Sequence, residues 1–350
     1  MVLLAGIALP TVKDLIADQR VAKTARNITA YVDAIRNRAI AENRRAGIRI
    51  ERLSKTDEFG RCQSIRIREL VGVPSYSGEA SDARIYLLQE DGATGVCTAY
   101  FDQNDNALLW LSCTTLLGNP KAPIRPGDYL ELPGGLTLPI LPDGLGTSGL
   151  YATVKVALTD PIDGLPTFPS GHLGNVRSNI RYRIHRRPVP SSSAAFSLPR
   201  GVVIDLSYSG SGQLGYEFAP GPLRFSTDEP PVPLDAEPID IIFAADGRVE
   251  TITKSTTGEP AISPNGQVFL CLGDSDGILP DNLLATGKDP SNSGPPANIA
   301  NLESKWIVIN ATTGRITSAP FNSINATNLP QAIQQARQLA TNYSDTVDIE

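Results

Sequence analysis

The stretch Val21–Ile50, VAKTARNITAYVDAIRNRAIAENRRAGIRI, contains the change of period on which the fold reading turns. Val21, Ala25, Ile28, Val32, Ile35 and Ala39 recur at a 4-3-4-3-4 spacing, which on a helix makes one narrow apolar stripe. Gln19, Lys23, Arg26, Asp33, Asn37 and Arg44 lie opposite. Arg44 and Arg45 stand where a helix C-terminus favours cations, and Gly47 is the expected cap. From Gly47 onward the period is two, with Ile48, Ile50 and Leu53 alternating with Arg49 and Arg52. The spacing predicts one continuous helix over 11–46, its stripe packed on an antiparallel sheet. Each larger aliphatic side chain so buried contributes about 1–3 kcal/mol.

Upstream, Met1–Leu9 (MVLLAGIAL) is apolar on every side, as for a segment buried in lipid or a bundle, and Pro10 is expected to kink the helix. The run is about half the ~20 residues a membrane span needs, and no basic start or cleavage site precedes it. Downstream, short alternating runs separated by Gly, Pro, Asp and Asn read as antiparallel strands: 64–70, 83–89, 95–101, 107–113, 150–158, 179–186 and 201–208. Two hairpins are expected, Ile239–Phe243 with Arg248–Ile252 around Asp246-Gly247, and Trp306–Asn310 with Arg315–Ser318 around a turn ending in Gly314. Gln267–Leu272 is a further strand between them. A short helix begins near Pro330, with Ala332, Ile333, Ala336, Leu339 and Ala340 on one side.

The fold class expected is therefore α+β: a long N-terminal helix on an antiparallel sheet, a large β-rich insertion and a short C-terminal helix. The organisation expected is a helix over 1–46, a β-rich domain over 47–328 with 54–238 as insertion, and a C-terminal helix and acidic tail over 329–350. The 30 Gly and 28 Pro suit strands and turns, and a net charge of −6 gives no global case for nucleic acid. Cys62, Cys97, Cys113 and Cys271 lack metal-ligand spacing and leave open either one or two disulfides or four buried thiols.

Several local patterns invite a chemical reading. Gly210, Gly212 and Gly215 spell a G-x-G-x-x-G, but Tyr216–Pro220 is a poor start for the helix a phosphate cradle needs. Asp102, Asn104 and Asn106 imitate a calcium loop without its glycine or its glutamate, and read as a turn. Asp274, Asp276 and Asp281 read as a solvated turn, as do Arg181, Arg183, Arg186 and Arg187 as a solvated strand face. His172 and His185 have no framed nucleophile beside them. No catalytic residue, cofactor or metal is expected, and the chain does not read as an enzyme.

The run Leu4-Ala5-Gly6-Ile7-Ala8-Leu9-Pro10-Thr11-Val12 resembles the second half of the type IV pilin N-terminal segment. Ala39–Ile50 is similar to the end of the helix and the first strand in minor pseudopilins of type II secretion, the GspH/FimT type, and the two C-terminal hairpins also fit. The likeness covers about 1–53 and 239–318. It implies a filament subunit in which Val2, Leu3, Leu4, Ile7, Leu9 and Pro10 form the membrane and filament-core part of the helix, over 1–12. It further implies other pilin-like subunits and the inner membrane as partners, and a place in the bacterial cell envelope or an extracellular filament. The family's basic leader, glycine, aromatic residue and glutamate are not in this sequence. Met1 is accordingly expected to be an internal methionine, with those features encoded upstream, and processing is carried over to no residue here. The other reading is a secreted β-rich module binding a glycan or a protein.

Overall fold

The N-terminal helix is one element, α1 (Val2–Glu42), of 41 residues, about 60 Å long at 1.5 Å per residue. The computed structural model describes residues 2–91, 96–119, 122–157, 176–220, 237–253, 266–280, 283–284, 295–326 and 328–347; side chains are described within these except at 2–18, 87, 89–91, 176–178 and 343–347. The helix runs through Pro10 without a break and ends before the expected Gly47. Asn43 takes the left-handed conformation, φ +49°, while its N–H meets the Ile40 carbonyl and the Arg44 N–H meets that of Ala39. This double closure lets asparagine do what glycine usually does. Gly47 instead lies in the first strand, where a Cβ would stand 2.3 Å from the Ile241 carbonyl oxygen.

The strands in chain order are β1 (Ala46–Glu51), β2 (Gln63–Ser64), β3 (Arg66–Val71), β4 (Ile85–Asp91), β5 (Val96–Asp102), β6 (Tyr129–Leu132), β7 (Leu136–Ser148), β8 (Tyr151–Ala157) and β9 (Val176–Ile180). They continue with β10 (Arg183–His185), β11 (Val189–Pro190), β12 (Phe196–Ser197), β13 (Val202–Ser211), β14 (Ile239–Phe243), β15 (Val249–Thr253), β16 (Gln267–Asp274), β17 (Lys305–Asn310) and β18 (Ile316–Pro320). Helices α2 (Glu58–Arg61), α3 (Ala107–Cys113) and α4 (Leu329–Val347) complete the set.

The α+β expectation is overturned. Among the described residues strand outweighs helix and forms three antiparallel sheets, so the fold is mostly β and not a long helix on a sheet. Two misreadings explain much of the gap. The β6–β7 hairpin is not among the strands expected from the sequence: Leu136–Ser148 carries Pro139, Pro142, Gly144 and Gly146, which look like loop. The register shift between Ile140 and Leu145 absorbs Pro142 and Gly144 as a bulge, and Gly144 permits the close approach of the Lys155 carbonyl oxygen, 2.6 Å from where a Cβ would be. Conversely, Ala107–Cys113 is helix α3, not a strand. The Glu79 carboxylate accepts the N–H groups of Ala107 and Leu108, at 2.7 and 3.0 Å, and so satisfies two donors of its first turn from elsewhere in the chain.

The chain divides into two compact units. The first comprises Met1–Val71, Pro190–Lys254 and Ser263–Glu350. One of its sheets runs β3-β1-β14-β15, with β11 and β12 both against β3; the other runs β18-β17-β16-β13-β2. Strands β2, β3, β12 and β13 all come from the segment expected as insertion. In the second sheet, Phe269, Cys271, Trp306 and Val308 join a core with Leu329, Ala332, Ile333, Ala336 and Ala340 of α4, whereas Leu339 is exposed. Alternation turns Leu270, Leu272, Ile307 and Ile309, all fully buried, to the opposite face. Helix α1 packs beside β13 and β16–β18 of this sheet and beside β1 of the other.

The second unit comprises Gly72–Val189 and Ser255–Ile262. Its sheet runs β10-β6-β7-β8-β5-β4-β9, over a core that includes Phe101, Leu109, Leu130, Val154 and Ile184. All four cysteines are free and buried, which decides between the two alternatives the sequence leaves open. Burial pushes the Cys62 and Cys113 thiols up to about 11, so neither is a ready nucleophile.

Candidate functional site

The best-defined constellation among the residues the sequence singles out is the seat of α1. The stripe residues Val21, Ala25, Ile28, Val32, Ile35 and Ala39 are all buried, Ile28 and Val32 completely. Thr24 is buried beside them, its hydroxyl returned to the Arg20 carbonyl at 2.7 Å. Burying the larger aliphatics of the stripe contributes about 1–3 kcal/mol each.

Polar fastenings flank the stripe along its length. Arg20 donates to the Arg200 carbonyl at 3.1 Å. Tyr31 stacks on Phe196 with ring centroids 5.0 Å apart, and burial raises its hydroxyl pKa, with the neighbouring Glu69 adding to the shift. Arg38 pairs with Glu69. Arg36 makes the most informative contact: its Nε donates to the Gly247 carbonyl at 3.2 Å and its Nη2 to the Thr313 carbonyl at 2.8 Å. One guanidinium thus ties the helix to the tips of two hairpins, β14–β15 and β17–β18, which belong to different sheets. Both turns use a glycine with positive φ, +87° at Gly247 and +67° at Gly314. A Cβ on Gly314 would lie 1.7 Å from the Gly247 carbonyl oxygen, so the tips meet backbone to backbone. The opposite edge of α1, with Lys23, Arg26, Ala30, Ala34, Asn37 and Ala41, faces solvent.

Sequence reasoning found the stripe but missed the Arg36 clamp. Both hairpin glycines are legible, yet nothing in the spacing says that the turns converge on one helix residue more than 200 positions from either. Val2, Leu3, Leu4, Ile7, Leu9 and Pro10 all lie within α1, and their side chains fall outside those described. Among the described residues no helix is long and apolar enough to cross a membrane.

The other patterns resolve into structural roles. The G-x-G-x-x-G loop is filled by its own Glu217, whose carboxylate accepts the Ser211 N–H at 2.8 Å and its hydroxyl at 3.0 Å. A phosphate would meet that carboxylate where the cradle should be. Asp102 closes a turn by accepting from the Asn104 N–H and side-chain amide, and Asn106 is buried against the Tyr182 hydroxyl. Asp274 caps a 3₁₀ turn, and Asp281 lies outside the described residues. Arg186 and Arg187 are tied to the Pro74 and Pro126 carbonyls, and Arg183 lies 3.7 Å from Glu131. His185 meets Glu131 at 2.6 Å, and His172 is outside the described residues. Among the described residues no group of three or more His, Cys, Asp or Glu is placed to hold a metal. No protein-family model, no curated protein and no solved structure matches the chain.

Proposed function

We propose that the chain is the structural subunit of a pilin-like filament, a type II secretion pseudopilus or a type IV pilus-like fibre, carried by its N-terminal helix. The observation that supports this reading is the division of labour along α1. One uninterrupted 41-residue helix begins with the apolar run of residues 2–9 and continues into a stripe bolted to the first unit on both flanks. A helix needed only for packing has no use for the extra apolar turns. In this reading the start of the helix sits in the inner membrane before assembly and among neighbouring helices afterward. The exposed edge with Ala30, Ala34 and Ala41 allows close helix approach, and the β-rich units face outward. No catalytic residue, cofactor or metal is assigned.

The test compares the whole chain with one lacking residues 1–12. The whole chain is expected to cosediment with lipid vesicles or to assemble with itself in their absence. The shortened chain is expected to stay monomeric, with its thermal midpoint within about 2 °C of the parent, because among the described side chains the stripe and its fastenings begin at Arg20. A whole chain that is monodisperse in plain buffer and ignores vesicles would sink the proposal. A fall of many degrees on deletion would place the segment in the unit's own core.

A second reading, a β-rich module binding glycan or protein, draws on one observation. Tyr86 and Tyr151 stack on the outer face of the second unit's sheet, 4.6 Å apart, with Tyr86 56% and the adjoining Leu150 64% exposed. It predicts retention of the whole chain on immobilised glycan, lost in a Tyr86→Ala, Tyr151→Ala double variant.

A further inference from the structure

We draw no further inference here: the strongest candidate, the outer face of α3 and the turn after it, where Leu108 and Leu117 are exposed beside the partly buried Trp110, is an unpartnered apolar patch, and nothing in the structure shows what covers it.

Discussion

Gly314→Ala is expected to cost about 4 kcal/mol or more, read as a large fall in the urea midpoint. Two effects add. An L-residue at φ +67° gives up about 1–2 kcal/mol relative to glycine. The added Cβ would also sit 1.7 Å from the Gly247 carbonyl oxygen, and both partners are backbone, so no rotamer relieves the overlap. The hairpin tips must separate. Separation breaks the Arg36 clamp, whose charge-assisted bonds to the Gly247 and Thr313 carbonyls are worth about 1.5–3 kcal/mol each. Against a typical domain stability of about 5–15 kcal/mol, that loss is decisive. Gly266→Ala is the matched control. Its φ is +83°, but nothing lies within 4 Å of a Cβ there, so only the conformational term applies, about 1–2 kcal/mol. Equal losses for the two variants would mean that the tips do not meet as described.

The contrast between the stripe and the clamp marks how far the sequence carries. Local periodicity made Val21 to Ala39 legible, because a helix writes its buried face at short range. The same holds for the β14–β15 and β17–β18 hairpins, where Asp246-Gly247 and Gly314 announce turns. What periodicity could not supply was which class the whole chain belongs to. Pro142 and Gly144 inside β7 look like loop until a bulge accommodates them, and Ala107–Cys113 looks like a strand until Glu79, a distant residue, caps its helix. Arg36 likewise is, in sequence, one more polar residue beside the stripe.

Arg337 carries the second large effect. It projects from α4 into the first unit's core, 0% exposed, with Nη1 on the Gly212 carbonyl at 2.6 Å and Nη2 on the Tyr208 carbonyl at 2.7 Å. Its guanidinium carbon stands 4.6 Å from the Phe269 ring centroid and 5.1 Å from that of Trp306. Burial lowers its pKa to about 9, which still leaves it charged at neutral pH. Arg337→Ala orphans two carbonyls, at about 1–3 kcal/mol each, and leaves an emptied space beneath the rings. Relief of the guanidinium's desolvation offsets part of this, so a net loss of about 4 kcal/mol is expected. Arg337→Met refills the space but not the bonds and should lose about 2 kcal/mol. Arg337→Lys keeps a charge but cannot span both carbonyls from one point, and should fall between them. Urea unfolding followed by the near-ultraviolet signal of Trp306 measures all three, since the indole N–H donates to the Ala336 carbonyl at 3.0 Å and reports the docking of α4 directly. A methionine variant more stable than the parent would reverse the assignment: the desolvation of Arg337 would then outweigh its two bonds, and the hydrophobic face of α4 alone would hold the helix to the sheet.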